Sequence, residues 1–345
     1  MLRLMVRIKL FLGLVLVTII ISSPVWQACS PRDSTLKPRE FQVGRSDCRV
    51  TSLKRITPRV RRHLEELVHS SEEQLKANTA GSQILKINSA ASERPVTVDT
   101  GVFEVIQKSI TFARLSGGRY DPSAAPLYEL WRRAQFEKKN PSRTEIYAAL
   151  GAVDFRRIIT DPELQQVYLP DSSMKVSLEP GLDGYIVDKV ADLLQQHNIV
   201  DVSISKGVVK RSINGESEFT FDKEVLYEKD DPSGTPIVTL KNLKARGLSF
   251  FHTSRRLLLN LSTGYPTKNN ISWVACIGPE SHAAEILAHI VAAGEIGRGI
   301  TLVEELPFFE VVCVSEEYKV FCTSGFESYL SDLNPEYTLY VNNSR

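Results

Sequence analysis

Four segments of the chain carry apolar residues at the spacing of an α-helix. These predicted helices span residues 58–77, 99–115, 185–197 and 281–293. In the first, Val60, Leu64 and Val68 recur on one face with charged residues between them. The second is followed by Gly117 and Gly118, and glycines at this position commonly end helices. The hydrophobic pattern therefore predicts amphipathic helices packed against a core.

Short runs of β-branched and other apolar residues lie between and after these helices. They predict strands over residues 200–205, 272–277, 308–314 and 319–322. The last two runs are separated only by residues 315–318 and predict a β-hairpin. Helices and strands follow one another without a regular βαβ alternation. The predicted fold class is therefore α+β, a single compact domain with mixed or antiparallel sheets and packed helices.

The first 28 residues have the pattern of a secretory signal peptide. Three basic residues open it, and the apolar run 10–21 is short for a bilayer span, which needs about 20 residues. Cys29 follows a small residue at the expected cleavage point, as in a bacterial lipobox. A plain signal peptide and an uncleaved anchor are the alternatives. We expect export, lipidation of Cys29, and a polar tether over residues 29–45.

The composition is that of an ordinary globular protein. Apolar residues make up 42% of the chain, and 42 basic residues against 41 acidic ones give a formal charge of +1. This composition excludes a disordered chain and favours no nucleic-acid partner, because binding to a phosphate backbone requires a basic field. Removing the three basic residues of the leader lowers the charge from +1 to −2. We therefore expect an anionic ligand to be held by a metal and by backbone N–H groups.

Four cysteines lie outside the leader and have no metal-binding spacing. They are Cys48, Cys276, Cys313 and Cys322. Export would place them where disulfides are permitted. Without a CxxC or zinc-finger arrangement, buried positions on strands are the expectation.

Four polar stretches have the composition of ligand sites, and each also has a structural explanation. They are residues 116–122, 179–185, 260–266 and 282–289. Glycines in the first two allow the backbone to approach a ligand, and the second leads into a helix whose free N–H groups could meet a phosphate. In the last, His282, Glu285 and His289 fall on one helix face. Such a face either binds a divalent cation or is a solvated polar surface.

In order and in sequence, these stretches resemble the FAD:protein FMN transferases of the ApbE family. SGGRYDPSAAPLYELW is similar to the family's GGxFDPTxxPLxxLW segment, and SLEPGLDGYIVDKVADLL to its DLGGIAKGYAVDKAxELL segment. LNLSTGYP and HAAEILAHIVAAGE resemble IDPxTGxP and ADALATAxxxxG, SQILKIN upstream is similar to SExxxLN, and CTSGF to the closing strand and turn. The resemblance extends over residues 46–328 and leaves 329–345 as a C-terminal tail.

The resemblance implies an exported enzyme that binds FAD and a divalent metal. The implied metal is Mg²⁺, with Mn²⁺ or another transition metal as alternatives. Such enzymes transfer FMN to a threonine of a membrane redox subunit and release AMP. The implied location is the bacterial cell envelope, as a periplasm-facing lipoprotein held by its N-terminal lipid anchor. The alternatives are hydrolysis of FAD to FMN and AMP, and a degenerate relative that binds flavin or partner proteins without catalysis.

Residue-by-residue comparison with the family implies a set of cofactor contacts. They are Asn88, Arg119, Tyr120, Asp121, Ser177, Asp183, Gly184 and Asn260. Ser177 and Asn260 replace aspartates of the family, and Asp183 replaces a lysine or glutamate. Lys206 interrupts a pair of glycines.

The implied metal ligands are the carbonyl of Pro180 and the side chains of Glu285 and His289. The family has aspartate and threonine at the last two positions, and an imidazole favours a transition metal over magnesium. Leu257 stands at the position of a family histidine linked to activation of the acceptor hydroxyl. The catalytic residue is therefore unknown, with His252 as a substitute to be considered.

Overall fold

The structure, a computed structural model, describes residues 37–214, 224–227, 234, 236–243 and 246–342. A large mixed sheet lies within these residues. Its strands and those of three smaller sheets are β1 Arg39–Gln42, β2 Arg49–Ser52, β3 Val96–Thr97, β4 Ile159–Asp161, β5 Gln166–Tyr168, β6 Val202–Lys206, β7 Val209–Ile213, β8 Glu224–Tyr227, β9 Pro236–Leu240, β10 Gly247–His252, β11 Leu259–Asn260, β12 Tyr265–Pro266, β13 Ile271–Gly278, β14 Glu310–Ser315, β15 Lys319–Cys322, β16 Leu330–Leu333 and β17 Thr338–Val341. The helices are α1 Pro58–Leu75, α2 Gln83–Ser89, α3 Thr100–Leu115, α4 Ala125–Glu137, α5 Arg143–Gly151, α6 Leu182–Gln196, α7 Ser281–Ala293 and α8 Ile296–Glu304.

The main sheet has the strand order β1-β2-β6-β7-β10-β13-β14-β15-β17. Its neighbours pair antiparallel except for β15 and β17, which are parallel. The smaller sheets have the orders β16-β9-β8, β3-β5-β4 and β11-β12. The predicted α+β class and the β14–β15 hairpin are confirmed.

The four predicted helices are confirmed as α1, α3, α6 and α7, with ends that move by at most three residues. Helix α1 begins where the Thr57 hydroxyl accepts a hydrogen bond from the N–H of Val60 at 3.4 Å. Helix α3 ends before Gly117 and Gly118, which have φ angles of 62° and 80°. These left-handed conformations favour glycine, so the chain turns there toward the first candidate stretch.

Helix α7 is buried on every side, and all residues of Ser281–Ala293 are buried. It packs against β10 and β13 and against α6. The alternative of a solvated face for His282, Glu285 and His289 is therefore wrong, because these polar side chains are enclosed by packed elements. A buried polar face requires hydrogen-bond partners within the protein.

Two of the expected domain boundaries differ from the structure. The expected tether 29–45 includes β1, which pairs with β2, and the expected tail 329–345 includes β16 and β17. Edge strands of four residues are too short to show an apolar alternation, which explains why the sequence pattern missed them. Residues Pro38–Arg345 form one compact unit. The leader 1–28 and Cys29 lie outside the described residues.

The four cysteines outside the leader are free and buried, as expected. Cys276, Cys313 and Cys322 lie on β13, β14 and β15, whereas Cys48 lies just before β2. No helix in the described ranges is both long and apolar enough to cross a bilayer.

Candidate functional site

A cavity of about 390 Å³ opens at the start of α4, beside α7 and the loop that precedes α6. Six of the residues that sequence comparison singled out line it: Arg119, Tyr120, Asp121, Ser177, Pro180 and His289. The volume lies in the range of small-molecule sites, about 300–1,000 Å³. Leu261 of the stretch 260–266 also lines it, so tertiary folding joins all four candidate stretches into one site.

A larger hollow of about 1150 Å³ adjoins this cavity, and Arg119 and Leu261 line both. Its walls include the glycine pair Gly117 and Gly118 and the predicted contact Asn260. The Asn260 side-chain carbonyl accepts hydrogen bonds from the Ser262 N–H and hydroxyl at 2.9 and 2.6 Å. The two spaces thus lie side by side, with Arg119 and Leu261 between them.

Three arginines, Arg119, Arg132 and Arg256, line the smaller cavity. The expected binding of an anionic ligand by a metal and backbone N–H groups stays a prediction, but the lining shows that cationic side chains are also present at this site. The near-zero net charge conceals a local cation cluster, since folding gathers arginines from distant positions. The Arg256 guanidinium also lies over the Phe251 ring, 5.0 Å from its centroid, which orients it.

The carboxylate of Asp121 shapes the cavity wall. One oxygen accepts hydrogen bonds from the Ser123 N–H and hydroxyl at 2.7 and 2.6 Å, and the other accepts the Phe155 N–H at 2.9 Å. Burial raises the pKa of Asp121, although these hydrogen bonds oppose the rise. Tyr120 is only 2% exposed. Among the predicted contacts of this loop, Arg119 therefore has the charged side chain that is most accessible to a ligand.

Asn88 lies outside the cavity lining and supports the loop behind it. Its carboxamide donates to the Val176 carbonyl at 2.9 Å and accepts the Val176 N–H at 2.7 Å. Both the nitrogen and the oxygen of the Asn88 carboxamide are therefore engaged. They hold Val176, and so they help to position the adjacent residue Ser177. The predicted contacts Asp183 and Gly184 also lie outside the lining of both spaces.

The N-terminus of α6 packs directly on the N-terminus of α7. The Glu285 carboxylate accepts the Gly184 N–H at 2.8 Å, and the His282 Nδ1–H donates to the Gly181 carbonyl at 2.8 Å. A Cβ atom at Gly184 would lie 2.4 Å from the Ser281 carbonyl oxygen, closer than real contacts allow. Gly184 is therefore a packing residue, and the glycine loop is held by two side chains of α7.

Glu285 is 3% exposed, and the pKa of its carboxyl group lies above the ordinary value. Burial and the nearby charge of Asp183 raise the pKa of Glu285 to about 7. Burial also raises the pKa of Asp183, although the Lys206 ammonium stands 3.5 Å away and opposes the rise. The half-buried Asp183 and the buried Glu285 thus oppose each other's ionisation, and the Lys206 ammonium offsets part of their charge.

His289, one turn further along α7, reaches the cavity wall. Its Nε2 shares a hydrogen bond of 3.0 Å with the Tyr128 hydroxyl. Burial and the charge of Arg256 lower the pKa of His289 to about 3, and burial raises that of Tyr128 to about 12. Both side chains are therefore neutral at physiological pH.

Pro180, Glu285 and His289 offer a carbonyl, a carboxylate and an imidazole. No group of three His, Cys, Asp or Glu side chains within the described ranges could hold a metal ion by itself. Pro180 and His289 line the cavity, whereas Glu285 lies outside its lining and accepts the Gly184 N–H. Carbonyl and carboxylate oxygens are nevertheless donors that a divalent cation takes together with the phosphate oxygens of a substrate.

Leu257 lies on the cavity wall and has no group that transfers a proton. His252 is not among the residues that line either space. Its ring lies edge-on to Trp273, and its Nδ1 accepts the Ser254 N–H at 3.2 Å. His252 therefore does not replace the histidine that the resemblance expects at position 257.

A family model described as the ApbE family matches residues 45–216. The chain belongs to the ApbE family. An FAD:protein FMN transferase of Klebsiella pneumoniae (strain 342) is 24% identical over 283 residues, 79% of this chain and 87% of the relative. One of Treponema pallidum (strain Nichols) is 22% identical over 329 residues, 85% of this chain and 88% of the relative.

Solved ApbE structures share the fold of this ApbE-family chain well beyond residue 216. A flavin transferase ApbE of Vibrio cholerae superposes with a TM-score of 0.74 at 18% identity, covering 85% of this chain and 99% of that one. The ApbE protein of Thermotoga maritima gives 0.71 at 20% identity, covering 86% and 99%. The likeness in fold thus includes the C-terminal half, where the sequence resemblance was weakest.

Sequence comparison missed Tyr128, Arg132 and Arg256 as site residues of this ApbE-family protein. Tyr128 and Arg132 lie one turn apart on α4, so helical spacing places them on one face once the preceding loop is known to be a site. Arg256 follows a short 3₁₀ turn and has no such signal. Its role depends on a tertiary contact.

Proposed function

We propose that this protein is an FAD:protein FMN transferase. It binds FAD in the adjoining cavity and hollow, and transfers FMN to a hydroxyl group of an acceptor protein. The observation that supports this most strongly is the cavity lined by Arg119, Arg132 and Arg256, which adjoins a second, larger hollow at Arg119 and Leu261. The names of the relatives agree with this activity.

The three arginines are the proposed binding site for the pyrophosphate. Guanidinium groups bind phosphate oxygens through paired, charge-assisted hydrogen bonds, and they stabilise charge that develops during phosphoryl transfer. The acceptor oxygen forms a bond to the FMN phosphorus, and the bond from that phosphorus to the bridging oxygen breaks. AMP leaves with the electron pair, and the hydroxyl proton passes to solvent or to a base supplied with the acceptor.

Pro180, Glu285 and His289 are the proposed holders of a divalent cation, Mg²⁺ or Mn²⁺. Such a cation offsets the negative charge of the pyrophosphate and of the departing AMP. Glu285 supplies a negative charge from α7, and its hydrogen bond to Gly184 keeps the carboxylate in place. His289 is held by Tyr128 on the opposite side of the site.

The proposed acceptor is a threonine of a membrane redox subunit, and the proposed location is the periplasmic side of the bacterial envelope. The leader pattern of residues 1–28 and the cysteine at position 29 support export and a lipid anchor. A membrane-held donor enzyme would meet a membrane-held acceptor without long diffusion.

Leu257 favours a second candidate, a flavin-binding protein without transferase activity. The cavity wall has no proton-accepting side chain at that position. The two candidates separate when the protein is incubated with FAD, Mg²⁺ or Mn²⁺ and a threonine-bearing acceptor, and AMP and protein-bound flavin are measured. AMP with flavinylated acceptor supports the transferase, whereas AMP with free FMN indicates hydrolysis. FAD binding without AMP indicates the second candidate, and neither binding nor turnover contradicts both.

Arg256→Ala is expected to weaken FAD binding by about 10- to 100-fold, since one charge-assisted contact to phosphate contributes about 1.5–3 kcal/mol. The neighbouring Arg255 is exposed and does not line the cavity, so Arg255→Ala is a control with the same change of charge. Quenching of flavin fluorescence measures both dissociation constants. Equal losses in the two variants would mean that general charge, and not the cavity, holds the ligand.

Glu285→Gln is expected to reduce metal-dependent turnover at least 100-fold while the fold is retained. Glutamine keeps the volume and the acceptor for Gly184, but it loses the charge that the cation requires. The measurement is AMP release with saturating FAD and metal. Unchanged turnover would show that Glu285 is not a ligand.

The same variant tests the acidity of Glu285. Its folded pKa of about 7 lies above the ordinary value of 4.5, so its stabilising contribution is complete below pH 4.5 and is lost as the pH rises through 7. With a metal chelator present, Glu285→Gln should therefore be more stable than the parent at pH 8, by on the order of 3 kcal/mol, and similar to it at pH 4. Thermal unfolding at both pH values measures this difference, and a variant less stable at pH 8 would disprove the raised pKa.

A further inference from the structure

Basic residues are concentrated at the β1 end of the main sheet. Between residues 37 and 62 the chain has nine basic residues and two acidic ones, although its overall formal charge is +1. One of the two acids, Asp47, is paired with the buried Lys206. The local excess of positive charge is therefore exposed and uncompensated by neighbours in sequence.

Four of these residues surround a hollow of about 350 Å³: Arg39, Lys54, Arg55 and Arg61. All four are exposed, and in the described part of the chain none of their side chains forms a hydrogen bond or an ion pair. Phe41 forms part of the wall, with the Arg61 guanidinium 4.1 Å from its ring centroid. We call these four residues and Phe41 the basic hollow. It shares no lining residue with the cavity and the hollow that are proposed to bind FAD.

Apart from the contact of Arg61 with the Phe41 ring, the arginines at the start of α1 do not stabilise the helix. Arg59, Arg61 and Arg62 stand in the first turns of α1, and the first turn contains no acidic residue. The N-terminal end of a helix has a partial positive charge, so cations there are electrostatically unfavourable. A basic hollow maintained at this cost to the helix is suited to an external anionic partner.

We propose that the basic hollow and the surface around it bind the anionic headgroups of a phospholipid bilayer. The proposal rests on the proposed envelope location. If Cys29 carries the lipid, only residues 30–38 separate it from β1, a distance of at most about 30 Å for an extended chain. The anchor therefore keeps the basic hollow near the lipid surface. A phosphate headgroup enters the hollow, and the neighbouring arginines contact adjacent lipids within the Debye length, about 8–10 Å.

A soluble acidic protein and free phosphate are the other partners that four cations attract. The bilayer is favoured because the chain enters the domain at β1, directly beside the hollow. Contact between the basic hollow and the bilayer would limit the rotation of the domain about its lipid anchor.

The test uses residues 30–345, which contain the whole compact unit Pro38–Arg345, and sedimentation with vesicles. Binding to phosphatidylglycerol–phosphatidylcholine vesicles at about 0.1 M salt should be at least tenfold stronger than to pure phosphatidylcholine, and should be lost at high salt. The fourfold variant R39Q/K54Q/R55Q/R61Q should lose at least tenfold of this binding. A control fourfold variant, K86Q/R94Q/K139Q/R143Q, changes exposed cations elsewhere by the same charge and should lose little.

Equal losses in the two fourfold variants, or equal binding to neutral vesicles, would overturn the proposal. Full displacement by millimolar inorganic phosphate would indicate a free-phosphate site, and binding to acidic proteins but not to vesicles would indicate a protein partner. FAD binding by the first variant in solution should equal that of the parent. Failure of the FAD assays in both proteins would count against the proposed function only, because vesicle binding is read independently.

Discussion

Replacing Gly184 by alanine is expected to destabilise the protein by at least about 3 kcal/mol or to prevent its folding. The added Cβ atom would meet the Ser281 carbonyl oxygen at 2.4 Å and the His282 nitrogen at 2.6 Å. Both are backbone atoms of the buried helix α7, so relief requires α6 and α7 to move apart. Overpacking of a rigid core alone costs about 1–3 kcal/mol. Separation would also break the hydrogen bond between Gly184 and Glu285.

The matched control is Gly151→Ala. Gly151 is the last residue of α5, and a Cβ atom there meets nothing within 4 Å. Its stability should stay within about 0.5 kcal/mol of the parent or rise slightly, because alanine favours helix. Denaturant unfolding of the two variants measures the difference. Similar midpoints would show that α6 and α7 do not pack closely at Gly184.

Replacing Lys206 by methionine is expected to cost up to about 3 kcal/mol at neutral pH, the lower end of the range for breaking a buried ion pair, because the carboxylates that it leaves are 18–59% exposed. The Lys206 ammonium is 3% exposed and lies 2.7 Å from Glu72 and 3.5 Å from Asp183, in addition to Asp47. Burial disfavours the ammonium, but Asp47 and Glu72 outweigh that effect and raise the pKa of Lys206. Methionine fills a similar volume but leaves three carboxylates facing one another.

The loss should depend on pH in a direction that the pKa shifts determine. Burial would raise the pKa of Glu72, but the Lys206 hydrogen bond and charge lower it overall, and the same holds for Asp47. The stabilisation from these two groups is present above their ordinary pKa values and is lost as the pH falls below them. The difference between parent and Lys206→Met should therefore be largest at pH 7.5 and should narrow near pH 4.

Lys319→Met is the control for this experiment. Lys319 forms an ion pair with Glu317 at 2.6 Å, but both side chains are well exposed. Surface pairs of this kind contribute little to stability, so the unfolding midpoint should change little at either pH. A Lys206→Met variant that resembles this control would show that the buried cluster does not stabilise the fold.

Local patterns predicted the helices well and the edges of the sheet poorly. Helices α1, α3, α6 and α7 bury an apolar stripe over many residues, so their period is visible in the sequence. Strands β1 and β17 are four residues long and lie at the two ends of the main sheet. Each is held by backbone hydrogen bonds to a single neighbouring strand, β2 or β15, and such bonds leave no side-chain pattern in the sequence.

The candidate site shows the same division. The order of four short motifs predicted Arg119, Ser177, Pro180 and His289, and these residues meet in one cavity. Asn88 and Asp121 were predicted as ligand contacts, yet their side chains hold the loops around the cavity. A motif identifies a residue at a site, but hydrogen-bond partners decide whether its side chain faces the ligand or the protein.

The sequence by itself determined the fold class, the main helices and the family resemblance, because periodicity and motif order are properties of neighbouring residues. Only the tertiary structure decided that α7 is buried, that Glu285 has a pKa near 7, and that Arg132 and Arg256 join Arg119 around the cavity. These properties depend on what surrounds a group in space. Burial, charge and proximity arise between segments that are not neighbours in sequence, such as Gly184 and Glu285, so they exist only after the chain has folded.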